Sequence, residues 1–212
     1  MAEAIRSRTS ATTRYRTVDL VTVAMLGVAL GVVFWGWNQL FAVVSGTALF
    51  AFPPSSGLIC GVWLLGGVVG GLVVRKPGAA VGTELVAATV SALLGNQWGM
   101  SVVVSGLIQG FGAELVFAVF LYRRWGVVVA ALAGALAGAG EAVYEWFAYY
   151  ADWSFGYQLV YLAFFVVSGA LVAGVGGWAL VRALASTGAL DAFGPGRDYH
   201  ARTAVSADHD QA

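Results

Sequence analysis

Three observations predict an all-α integral membrane fold of six transmembrane helices with both termini cytoplasmic. The 212 residues are 59% hydrophobic and only 10% charged, with a mean hydropathy of +0.81, too apolar for a water-soluble domain. The apolar runs are long enough to cross a hydrocarbon core of about 30 Å. All eleven Lys and Arg residues fall within 1–16, 75–77, 122–125 and 182–212, and the three intervening connections hold none. With the N-terminus inside, every basic segment is cytoplasmic, as positive-inside bias requires. An odd number of spans would break that partition.

Residues 1–16 carry Arg6, Arg8, Arg14 and Arg16 without apolar periodicity and read as a disordered cytoplasmic leader. A signal peptide is disfavoured, because the apolar run that follows is too long and lacks a small-residue cleavage site. The first span begins at Thr17 and reaches about Trp35. Hydrophobicity continues to Phe52, and 17–52 as one helix would measure roughly 50 Å, so the chain must turn. Gly36, Asn38, Gln39 and Ser45-Gly46 offer the break, which leaves 40–52 as an interfacial segment ended by Pro53-Pro54.

The second span covers about 56–74 and stops at Arg75-Lys76-Pro77. The third covers 78–94, ending at Asn96-Gln97-Trp98-Gly99, and the fourth covers 101–121, ending at Arg123-Arg124. The fifth runs over 126–147. An aromatic loop, 148–157, leads to a sixth over 158–181 that ends at Arg182. The membrane domain is thus 17–185, and 186–212, polar and holding Gly194-Pro195-Gly196, reads as a disordered cytoplasmic tail.

Composition excludes several kinds of chemistry. Cys60 is alone, so no disulfide framework or thiol metal site exists. His200 and His209 both lie in the polar tail. No metal or other cofactor is therefore expected in this chain, and a membrane enzyme would lack a paired nucleophile and base. No nucleic-acid motif and no Walker A motif occurs, so energy for transport would have to come from another chain.

Polar and aromatic residues point to one face instead. Glu141 and Glu145 are a helical turn apart on one face, with Tyr144 beside them, and no Lys, Arg or His occurs between Arg124 and Arg182. Unpaired carboxylates walled by aromatic rings suit an organic cation, through charge, hydrogen bonds and cation–π attraction. A solvated helix end with an interfacial aromatic belt is the alternative. Trp35, Trp37, Asn38, Gln39, Asn96, Gln97 and Trp98 map to the same outer half, whereas the inner face receives mainly Arg. That asymmetry favours a ligand site, with Gln109 as its floor.

Glu84 and Glu114 lie deeper. Membrane carboxylates face a cavity, a partner or the bundle interior, and these two are expected to bond Ser, Thr or backbone groups between helices. Asp19 is an N-terminal helix charge. GxxxG pairs (Gly27/Gly31, Gly66/Gly70, Gly67/Gly71, Gly106/Gly110, Gly134/Gly138) let helices approach closely. With Ala24, Gly27 and Gly31 form a smooth stripe on the first span that could dock another membrane protein.

Phe34-Trp35-Gly36-Trp37-Asn38-Gln39-Leu40, Pro53-Pro54, Asn96-Gln97-Trp98-Gly99 and Glu141-Ala-Val-Tyr-Glu145, in this order, resemble the YkoE-type substrate-binding (S) components of energy-coupling factor (ECF) transporters over residues 15–185. The resemblance implies a six-helix bundle with an outer pocket covered by the connection between the first two helices. It implies thiamine or its hydroxymethylpyrimidine precursor as ligand. It also implies a transmembrane coupling protein and two cytoplasmic ATPase subunits as partners in the plasma membrane. The coupling protein would meet small residues of the first helix, here Ala24, Gly27 and Gly31. On residue chemistry alone, a stand-alone secondary transporter or channel and a structural partner with a mere aromatic belt stay open.

Overall fold

The computed structural model describes residues 14–209. Of the expected leader, only Arg14, Tyr15 and Arg16 fall within that range. Every regular element among the described residues is helical. The first helix, α1, runs unbroken over Thr17–Val44, about 42 Å at 1.5 Å per residue. Asp19 fixes its start: the carboxylate accepts from the Arg16 backbone N–H at 2.7 Å and from Lys76 Nζ at 2.5 Å. The Lys76 contact ties the start of α1 to the turn that follows the second helix.

The expected break at Gly36, Asn38 and Gln39 does not occur. Asn38 cannot compete for the local backbone, because its amide donates to Ser91 Oγ and accepts from the Trp63 indole N–H. The helix therefore continues to Ser45-Gly46. The connection shrinks to 45–52, with a short 3-10 turn at Ala48–Phe50.

The second helix, α2 (Pro53–Val74), is wound as a 3-10 helix over its first twelve residues. This tighter winding brings Gly57 and Gly61 against the sixth helix. A Cβ on Gly61 would stand 2.4 Å from the Ser168 carbonyl oxygen. Ser168 Oγ seals the contact, accepting from Gly61 N at 2.9 Å and donating to the Leu58 carbonyl at 2.7 Å. Next come α3 (Ala79–Leu94), α4 (Gly99–Val119), α5 (Val127–Ala148) and α6 (Phe155–Ser186). A π-helical stretch, Gly169–Gly176, interrupts α6.

By length and composition, α1, α2, α4, α5 and α6 can each cross a membrane. The third helix has only 16 residues, roughly 24 Å. It packs between α1 and α4, and its N-terminus is completed from outside: Glu114 of α4 accepts from the backbone N–H groups of Gly78, Ala80 and Val81 at 2.7, 2.9 and 3.3 Å. Those donors have no intrahelical partner, so a carboxylate from the next helix takes the place of a cap.

The C-terminal segment corrects the expectation of a disordered tail. Residues Gly194–His209 form a helix, α7, and Leu190, Phe193, Gly194, Pro195 and Gly196 are buried. The glycines there serve packing rather than flexibility. A Cβ on Gly194 would meet Arg75 Nη1 at 2.6 Å, and one on Gly196 would meet the Leu190 carbonyl oxygen at 2.3 Å. An Arg75–Asp198 ion pair of 2.8 Å joins α7 to the end of α2. The described Lys and Arg residues thus gather at one end of the bundle, here called the basic end.

Candidate functional site

From the opposite end a pocket runs inward between α1, α2, α3, α4 and α5. Asn38, Trp63, Glu84, Ser91, Trp98, Ser105, Gln109, Glu141, Glu145 and Tyr149 line it, with Phe34, Ala88 and Val102. Each wall follows from local structure. Because α1 stays helical past Gly36, Phe34 and Asn38 share its buried face, four residues apart. Asn38 then holds Trp63 by accepting the indole N–H at 2.8 Å. Trp98 arrives on the α3–α4 turn, where Asn96 Oδ1 accepts the Trp98 backbone N–H at 2.8 Å. Phe41, Trp63 and Trp98 form an aromatic cluster with ring centroids 5.0–5.8 Å apart.

The polar floor joins three helices. Glu84 Oε2 accepts from the Gly67 backbone N–H at 2.5 Å. With its amide oriented to satisfy both acceptors, Gln109 donates to Glu84 Oε1 at 3.3 Å and to the Trp63 carbonyl at 3.0 Å. Glu145 accepts from the Tyr161 hydroxyl, which also lies 3.6 Å from Cys60 Sγ. Glu141 is 1% exposed, and its Oε2 has no hydrogen-bond partner. A buried carboxylate oxygen left unpaired is a costly arrangement, and a ligand's N–H group or positive charge would satisfy it.

Of the eleven nominated ligand residues, Asn38, Trp98, Gln109, Glu141 and Glu145 meet in this pocket. The other six stand elsewhere. Trp35, Gln39 and Gln97 are exposed. Trp37 donates its indole N–H to the Ile59 carbonyl at 3.0 Å and so braces α1 against α2. Asn96 shapes the turn that carries Trp98. Tyr144 packs edge-on against Tyr149. Sequence reasoning missed Trp63, Ser91, Ser105 and Tyr149 as lining residues. Trp63 had a visible signal, a lone tryptophan inside a span of Gly, Val and Leu, but only its tie to Asn38 turns it inward.

Two of the three residues of the expected docking stripe lie in an internal seam. Gly27 and Gly31 are buried against α3: a Cβ on Gly27 would lie 2.5 Å from Val86 Cβ, and one on Gly31 would lie 2.6 Å from Val90 Cβ and 2.7 Å from the Ala87 carbonyl oxygen. Ala24 alone of the three is exposed. The glycine pair therefore serves an internal seam, and Gly31→Leu is expected to lower the heat-denaturation midpoint of the isolated subunit. A stripe reserved for a partner would leave that midpoint unchanged.

Comparison with known proteins agrees with this architecture. Residues 18–140 match the family model described as the permease component of an ABC-type cobalt transport system. The chain is 32% identical over 197 residues to the putative HMP/thiamine permease protein YkoE of Bacillus subtilis (strain 168), covering 92% of this chain and 97% of that one. It superposes on the crystal structure of an S-component of an ECF transporter with a TM-score of 0.86 and 32% identity, covering 92% of this chain and 98% of the other. A helical bundle of this shape, with a pocket opening away from the basic end, thus belongs to the YkoE-type S components of ECF transporters, the substrate-binding membrane subunits of ECF-type importers in the plasma membrane.

Proposed function

We propose that the pocket captures thiamine or its hydroxymethylpyrimidine precursor from outside the cell. A transmembrane coupling protein and two cytoplasmic ATPases would then drive uptake. In this reading all six helices α1–α6 span the bilayer and both termini are cytoplasmic, which puts the pocket at the extracellular face and the basic end inside. The observation that carries it is the unpaired, buried Glu141 oxygen in a pocket that Trp63, Trp98 and Tyr149 also line. An aminopyrimidine N–H would complete that carboxylate, Trp63 or Trp98 would stack on the ring, and a thiazolium would gain cation–π attraction worth about 2 kcal/mol when desolvated.

The Bacillus relative carries HMP and thiamine in its description, which supports the same ligand class here. A metal cargo has less support, because among the described residues no three of His, Cys, Asp and Glu converge as ligands. The open space in the pocket is about 50 Å³, whereas a cavity of roughly 150 Å³ holds one benzene ring. A ring of that size therefore requires the pocket to widen.

The test is a titration of the detergent-purified protein with thiamine and with hydroxymethylpyrimidine, followed by tryptophan fluorescence. Saturable quenching by one of them is expected. Affinity should fall tenfold or more in Glu141→Gln, since a hydrogen bond to a charged group contributes about 1.5–3 kcal/mol. Flat titrations with both ligands on folded protein would remove this ligand class.

A further inference from the structure

At the basic end, away from the substrate pocket, α7 folds against α2 and α6 and borders a half-open cavity of about 720 Å³. Four guanidinium groups line it, each from a different part of the chain. Arg75 ends α2, Arg123 lies in the α4–α5 turn, Arg182 is on α6 and Arg202 is on α7. Among the described lining residues one carboxylate, Asp198, joins them and pairs with Arg75 at 2.8 Å. The lining is therefore strongly cationic, and it exists only because the C-terminal segment is folded.

Two of the arginines are held by aromatic faces. The Arg75 guanidinium sits 5.4 Å from the centre of the Trp125 ring, and that of Arg182 sits 4.8 Å from the centre of the Trp178 ring. Stacking occupies the flat face of a guanidinium and leaves its edge for an oxyanion; on Arg75 part of that edge is already used, Nε by the Leu72 carbonyl at 3.2 Å and Nη1 by Asp198. The backbone adds a second observation. Arg75 and Tyr122 both line the cavity with φ of 57° and 53°, the left-handed conformation that glycine ordinarily takes at helix ends. Such strain persists where the surroundings over-determine it, often at functional sites.

We infer that this cavity binds a phosphate group, presented by an anionic phospholipid of the adjoining leaflet. Arginine edges suit phosphate oxygens better than any other group a membrane offers. The apolar side chains of Leu72 and Val181 line the same cavity, at the end of the spans where headgroups lie and where tryptophans such as Trp125 and Trp178 concentrate. Basic pockets between membrane helices recognise acidic headgroups by this combination. A second site for a cationic substrate does not fit, because four guanidiniums would repel it.

Heat denaturation of the purified full chain in neutral detergent tests the assignment, with added phosphatidylglycerol, phosphatidylcholine or inorganic phosphate. Wild type should gain several degrees more from phosphatidylglycerol than from phosphatidylcholine. The double variant Arg123→Gln/Arg182→Gln should lose most of that difference while keeping the wild-type midpoint in plain detergent. Both residues are exposed, so the variant should fold, and the two single variants supply the same comparison if it expresses poorly. A rise with inorganic phosphate alone, lost in the variant, supports the phosphate site and identifies a free phosphate compound as the source. Equal gains from both lipids with none from phosphate, or a phosphatidylglycerol advantage that survives the substitutions, overturns the proposal.

Discussion

Gly134→Leu is expected to leave little folded protein. A Cβ at that position would stand 2.1 Å from the Gly169 carbonyl oxygen, 2.8 Å from its carbon and 2.9 Å from Gly174 N. All three are backbone atoms, so no side chain can rotate away. The seam is closed from the other side as well. A Cβ on Gly169 would lie 2.3 Å from the Gly134 carbonyl oxygen, and one on Gly174 would lie 2.4 Å from Ala131 Cα. The π-helical stretch of α6 coincides with this contact, and either α5 or α6 must move to admit a side chain.

Overpacking a core commonly costs about 1–3 kcal/mol, and a collision between backbones belongs at or above the top of that range. Size-exclusion profiles and denaturation midpoints measure the effect, with Gly36→Ala as the control. Nothing lies within 4 Å of a Cβ at Gly36, and replacing a mid-helix glycine by alanine stabilises by about 1 kcal/mol. A wild-type profile for Gly134→Leu would show that α5 and α6 do not meet at this seam.

Glu114→Ala carries the second large effect. Its carboxylate accepts from three backbone N–H groups at the start of α3 and from the Tyr122 hydroxyl at 2.7 Å, and the residue is 8% exposed. Removing it strands the buried Ala80 N–H and leaves the less buried Gly78, Val81 and Tyr122 donors to water; a buried donor left unsatisfied costs about 1–3 kcal/mol, so a loss of about 2–3 kcal/mol is expected. Tyr122→Phe removes only one of the four bonds and should cost about 1 kcal/mol. The two variants, compared by denaturation midpoint, separate the cap from its accessory. Similar small shifts in both would mean that α3 does not depend on Glu114 for its N-terminus.

The position of the candidate site is partly legible in the amino-acid sequence. Glu141 and Glu145 among aromatics with no cationic residue near them in sequence, and Asn38, Trp98 and Gln109 mapped to the same half, nominate residues that the bundle gathers into one pocket. Trp35, Gln39 and Gln97 carry the same chemistry but face away. Residue type and depth say which side chains could serve, whereas the azimuth of each helix says which do. That azimuth depends on contacts between helices far apart in sequence, such as Asn38 with Ser91 and Trp63.

Composition, hydropathy and the placement of Lys and Arg determined by themselves that this is a helical membrane protein with its basic residues at one end. These are local and additive properties, readable one segment at a time. The tertiary structure alone decided that α1 continues through Asn38, that Gly27 and Gly31 face α3, that Glu114 caps a neighbouring helix, and that Gly194 packs against Arg75. In each case a group the local sequence leaves unsatisfied or uncovered finds its partner on another helix, and only the assembled bundle brings the two within reach.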